Sequence, residues 1–309
     1  MYVAFIVVAI LGVVSATPLA WDRRPAQRGR VLDKYARRVN LAMTPEVEPL
    51  VVARLVAREK SMFSGAMTGI GIGLIGSLLL PGGVGSSLVP LALVAGMLLG
   101  LAAGAAVSSV RGQLAVAGDG PRVARMQAPG FADYVGPIER WGARGAVILA
   151  ALSVVGAAIA LSVGALGEAR MSAVDLVGSG AVAGAVASIV ALIGAELFAA
   201  RIVAHRQPAG STTELAWEDA IRAMTLRDLV SVPFVLGFVS AVMTFLLVGS
   251  NADTAGAGAP AALVGMAVLL IVVTTAISLS AASWASKPMQ HYWRRLWAKP
   301  EARMDAASA

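Results

Sequence analysis

Seven stretches of this chain run for about twenty residues or more with almost no charge: 2–20, 62–80, 88–110, 145–166, 173–200, 229–249 and 261–284. A helix rises about 1.5 Å per residue, so some 20 apolar residues cross a hydrocarbon core of about 30 Å. Only the fifth run holds ionisable side chains, Asp175 and Glu196. Charged residues make up 14% of the chain, against about 25% in an ordinary soluble domain. The pattern predicts an all-α fold, a polytopic bundle of seven transmembrane helices over residues 1–284, followed by a cytoplasmic amphipathic tail at 285–309.

The connections alternate in character. Those at 81–87, 167–172 and 250–260 are short, whereas those at 21–61, 111–144 and 201–228 are long and basic. Counted with the tail, the long segments carry 24 of the 25 lysines and arginines, and Arg170 alone falls on the other side. The positive-inside bias places the long loops and the tail in the cytoplasm, with the N-terminus outside. The first run ends in Ser15, Ala16 and Thr17, which resembles a cleavage site, but no basic side chain precedes it and Arg23 and Arg24 follow it. It therefore reads as an uncleaved anchor. The net charge of +7 is accounted for by this topology and does not call for nucleic-acid binding. Lysine occurs only at 34, 60, 287 and 299, and this bias toward arginine, with the abundance of Ala, Val and Gly, points to a GC-rich bacterial genome; the expected location of the spans is then the inner, plasma membrane.

The basic segments have helical patterns of their own. Val31, Leu32, Tyr35, Val39 and Ala42 recur at helical spacing across 28–43, opposite Asp33, Lys34, Arg37 and Arg38. Thr44-Pro45-Glu46 predicts a fresh helix start, and this second helix runs on into the span beginning near Met62. Ser211-Thr212-Thr213-Glu214 has the spacing of a capping box. It predicts a helix through Leu215, Ile221 and Met224 that ends near Thr225, where a new cap opens the sixth span. Pro233 predicts a kink in that span. In the tail, Met289, Tyr292, Trp293, Leu296 and Trp297 share one face, as expected of a helix lying on anionic lipid at the cytoplasmic surface. Trp21, Trp141, Trp284, Trp293 and Trp297 are the candidate interfacial anchors.

Within the membrane runs, chemistry is scarce. Asp175 and Glu196 are the candidate intramembrane polar site. On one continuous helix they would stand about 31 Å apart, at opposite surfaces. Gly96, Gly100 and Gly104 repeat every four residues, which predicts a seam where helix backbones approach closely, within the bundle or between copies in a homo-oligomer. Cysteine is absent, which removes thiolate chemistry and cysteine-ligated metal sites. The two histidines, His205 and His291, lie outside the membrane runs, away from the Gly178-Ser179-Gly180 motif that a serine protease would pair with a histidine base. There is no His-Glu-x-x-His pattern and no phosphate-binding loop. No cofactor is expected. These exclusions point to a non-enzymatic, permease-like or accessory subunit that works with a cytoplasmic protein partner. A carrier for a neutral or lipophilic solute, or a lipid-modifying enzyme at the inner surface, are the alternatives.

Overall fold

In the computed structural model, the described residues are 25–79, 84–114, 129–166, 171–178, 180–205, 209–251, 265 and 290–297. Their regular secondary structure is helical, with no strand among them. The helices are α1 (Pro25–Val39), α2 (Glu48–Leu79), α3 (Val84–Leu114), α4 (Phe131–Tyr134), α5 (Pro137–Ser162), α6 (Ala173–Gly178), α7 (Ala181–Ala204), α8 (Thr212–Asn251) and α9 (His291–Leu296). Four stretches, Ala92–Leu114, Pro137–Ser162, Ala181–Ala204 and Thr212–Gly249, are long and apolar enough to cross a membrane. The runs at 2–20 and 261–284 lie outside the described residues, apart from Gly265.

Four boundaries differ from the sequence expectation. Helix α1 stops at Val39 instead of continuing to 43, because Asn40 takes a left-handed backbone with φ of 59°. The Leu41 amide then reaches back to the Ala36 carbonyl at 3.1 Å, closing a Schellman-type end. Helix α2 starts at Glu48 rather than at Thr44-Pro45-Glu46. The Thr44 carbonyl, not its hydroxyl, accepts the amides of Val47 and Glu48.

The fifth run is two helices. It breaks at Gly178–Gly180, where Gly180 has φ of +82°, a conformation that costs a residue with a Cβ far more than it costs glycine. Conversely, the helix expected through Leu215, Ile221 and Met224 and the sixth apolar run are one helix, α8, with no break at Thr225. The Thr225 hydroxyl donates to the Ile221 carbonyl one turn back at 3.0 Å, so it continues the helix instead of capping a new one. Pro233 lies inside α8 and removes one amide donor without ending it.

The described residues fall into two compact units. The first contains α1 to α4, the end of α7 from Phe198, the start of α8 as far as Leu229, and α9. Its longest contact is between α2 and α3, where small residues remove the side chains that would hold two helices apart. A Cβ on Gly69 would collide with the Gly96 carbonyl, one on Gly65 with the Gly100 carbonyl, and one on Gly104 with the Ser61 carbonyl. The three glycines of the predicted seam therefore pack within the chain, against the neighbouring helix.

The second unit contains α5 from Ile138, α6, α7 as far as Leu197 and α8 from Val230. Gly237 of α8 lies against the Ala146 backbone of α5, and the Ser240 hydroxyl donates to the Ala181 carbonyl at 3.3 Å. Ala157, Met171, Leu176 and Ala181 form a small buried cluster. Two further buried hydroxyls are satisfied within their own helices: Ser153 bonds the Ala150 carbonyl and Thr244 the Ser240 carbonyl, each at 2.8 Å.

Candidate functional site

One face of α2 carries Arg54, Arg58, Ser61, Gly65, Gly69 and Gly73 in sequence, so the glycine seam leads into two arginines. In the first unit Arg58 meets Asp228 of α8 through two parallel hydrogen bonds, Nε to Oδ2 and Nη2 to Oδ1, both 2.6 Å. The Ser109 hydroxyl of α3 donates to Asp228 Oδ2 at 2.9 Å. Three helices are thus tied at a single carboxylate whose side chain is 10% exposed. Burial pulls the Arg58 guanidinium down, but the Asp228 hydrogen bonds and charge outweigh it and raise its pKa. Close by in sequence, burial lowers Arg54 against the opposing pull of Glu218, and raises Glu59 against that of Arg58. The Arg54 guanidinium packs where a Cβ on Gly112 would stand, so this glycine makes room for a cation.

A second buried carboxylate, Asp219 on α8, gathers the loop segments of the same unit. Its Oδ1 accepts the Tyr134 hydroxyl at 3.0 Å and its Oδ2 the Trp297 indole N–H at 2.9 Å. Two further long-range bonds close the assembly: the Trp217 indole donates to the Ala42 carbonyl at 3.0 Å, and the Tyr292 hydroxyl to the Val39 carbonyl at 3.1 Å. Tyr35, buried on α1, stands 6.1 Å from the Trp217 ring and donates to the Met224 sulfur. Burial pushes the Tyr35 and Tyr292 phenols well above their ordinary range. Arg295 pairs with Asp133 at 3.1 Å, and the His291 ring faces the Ala132 carbonyl at 3.1 Å. The basic loops and tail therefore fold on one another into a polar-centred unit.

The Ser211–Glu214 spacing forms a cap at the start of α8. The Glu214 amide bonds Ser211 Oγ at 3.2 Å, while the Glu214 carboxylate takes the Gly210 amide at 2.7 Å.

Asp175 and Glu196, expected to stand apart, have separate partners. Asp175 is exposed and caps α6, accepting the Ser172 amide and hydroxyl at 2.8 and 2.7 Å. Glu196 pairs in the second unit with Arg144 of α5, whose Nε and Nη2 both reach Oε1, at 3.0 and 2.8 Å. Trp141 is 66% exposed, whereas Trp293 stacks on Trp297 with ring centres 5.9 Å apart. Trp21 and Trp284 lie outside the described residues.

Arg58, Asp228, Asp219 and Tyr134 escape a reading of the sequence because their partners lie 78 to 170 residues away. One signal does precede them. Glu214, Glu218, Asp219, Arg222, Arg227 and Asp228 fall on all sides of the first half of α8, a pattern that does not suit a helix with one face against lipid.

The arrangement binds helices together. Among the described residues no three histidine, cysteine or acidic side chains converge as metal ligands. The described residues define the class no further than a helical protein with four helices long and apolar enough to cross a membrane. No protein-family model matches the chain, and no curated protein or solved structure does.

Proposed function

We propose that the protein is a non-enzymatic accessory or permease-like subunit of a membrane complex. It crosses the plasma membrane of a bacterium seven times, with its N-terminus outside, and holds a folded cytoplasmic platform for a protein partner. The observation that carries this reading is the commitment of the charged groups in the first unit to structure. Asp228 serves Arg58 and Ser109, and Asp219 serves Tyr134 and Trp297. A set of loops that only joined spans would have no need of buried carboxylates, which cost several kcal/mol each to desolvate unless well paired. Ordered loops do suit a surface that a second protein must find in one shape. On α1, Leu32, Tyr35, Ala36 and Val39 are buried, while Lys34, Arg37 and Arg38 remain exposed. This basic face is available to an acidic partner surface.

The test is purification in mild detergent from native membranes, beside a K34E/R37E/R38E variant. A stoichiometric partner retained by the wild type and lost from the variant is the expected result. A wild-type protein that emerges alone under several extraction conditions would overturn the reading.

A further inference from the structure

The Arg144–Glu196 pair is incompletely used. Both guanidinium contacts fall on Glu196 Oε1, which leaves Oε2 and the Arg144 Nη1 donors outside the pair. The two side chains are 36% and 49% exposed. The Arg144 guanidinium lies over the Trp141 ring, 5.2 Å from its centre. The result is a positive arm and a negative arm side by side, on an aromatic shelf.

What extends from this pair is apolar and uncovered. On α5, Ile148, Leu152 and Val155 are exposed at intervals of one helical turn beyond Arg144. On α7, Ile193, Val190 and Val186 are exposed going back from Glu196. Arg144 lies near the start of α5 and Glu196 near the end of α7, so both stripes lead away in the same direction. Ten residues separate Glu196 from Val186, about 15 Å along a helix, which is the depth of one leaflet of the hydrocarbon core.

We propose that this surface binds one phospholipid with a zwitterionic, primary-ammonium headgroup. Its phosphate sits on the free Arg144 donors, its ammonium on Glu196 Oε2, and its acyl chains lie along the two stripes. Charge complementarity selects this occupant. The pair is neutral overall, and Glu196 repels a headgroup that is purely anionic. A quaternary ammonium has no N–H to give to Oε2.

The inference rests on α5 and α7 crossing a bilayer, and the test separates the two claims. Release of the protein from membranes by alkaline carbonate would remove both. If the protein is retained, native mass spectrometry follows, from nanodiscs holding equal amounts of phosphatidylethanolamine, phosphatidylglycerol and phosphatidylcholine. The wild type is expected to retain phosphatidylethanolamine about two- to threefold over the others, the worth of one partly exposed charge contact. Glu196→Gln should shift that preference to phosphatidylglycerol, while Arg144→Gln should erase it. Free phosphoethanolamine at equal headgroup concentration should not displace the lipid. Identical lipid profiles in both variants would mean that the pair is only a brace between helices, and displacement by free phosphoethanolamine would mean a soluble-phosphoester site. Either would overturn the proposal.

Discussion

Replacing Asp228 with alanine removes the carboxylate to which Arg58 and Ser109 are both bound. The loss has two parts. Arg58, with its side chain 24% exposed, is left with a charge that water reaches only in part, and breaking a buried pair from one side costs about 3–5 kcal/mol. Its partial exposure places the value near the lower end, at about 3 kcal/mol. Ser109, buried on α3, loses an acceptor worth about 1 kcal/mol. The sum, about 4 kcal/mol, is a large fraction of the 5–15 kcal/mol that usually separates folded from unfolded protein.

The assay is reversible unfolding in mixed detergent micelles, followed by tryptophan emission, since Trp217 is buried in the same unit. A double-mutant cycle completes the argument. Arg58→Met with Asp228→Leu removes both charges and should recover most of the loss, because two apolar side chains owe no desolvation. A cost below about 1 kcal/mol for Asp228→Ala, or a double variant as unstable as the sum of its single changes, would refute the claim that this pair ties α2, α3 and α8.

Two other outcomes follow from the packing and the buried phenols. Gly100→Ile drives a branched side chain into the Gly65 carbonyl, which belongs to backbone and has little freedom to yield. A loss of about 3 kcal/mol or more is expected in the same unfolding assay, with Gly71→Ile, whose Cβ meets open space, as the near-neutral control. The phenols of Tyr35 and Tyr292 stay protonated in the folded chain above their ordinary value of 10. The folded state then binds more protons than the unfolded one, so the stability present below pH 10 falls as the pH rises past it. A spectrophotometric titration should show these two phenols ionising only as helix content is lost. A rise near pH 10 larger than Tyr2 and Tyr134, the other two tyrosines, can supply, with helicity intact, would contradict it.

Much of the local structure was legible along the chain. Hydropathy runs placed both ends of α3 to within four residues but the starts of α5 and α7 only to within eight, because a helix needs its own backbone bonds and an apolar stretch, while its ends depend on local caps and breaks. The four-residue spacing of Gly96, Gly100 and Gly104 pointed to close packing, but could not say that Gly69, Gly65 and Ser61 stand opposite. The stop at Asn40 and the break at Gly180 depend on left-handed backbones that asparagine and glycine permit without requiring. The continuity of α8 through Thr225 reversed a capping signal, because a threonine hydroxyl bonds as readily to the carbonyl one turn back as to an amide ahead.

What the sequence determined by itself is the class of molecule: helical, strongly apolar, with its positive charge confined to a few long segments. These are properties of composition and short-range period, which a chain carries before it folds. Which charges pair was decided only by the tertiary structure. Asp228 reaches Arg58 across 170 positions and Tyr292 reaches Val39 across 253. At such separations no spacing rule operates, and a carboxylate finds its partner only where folding has excluded water around both.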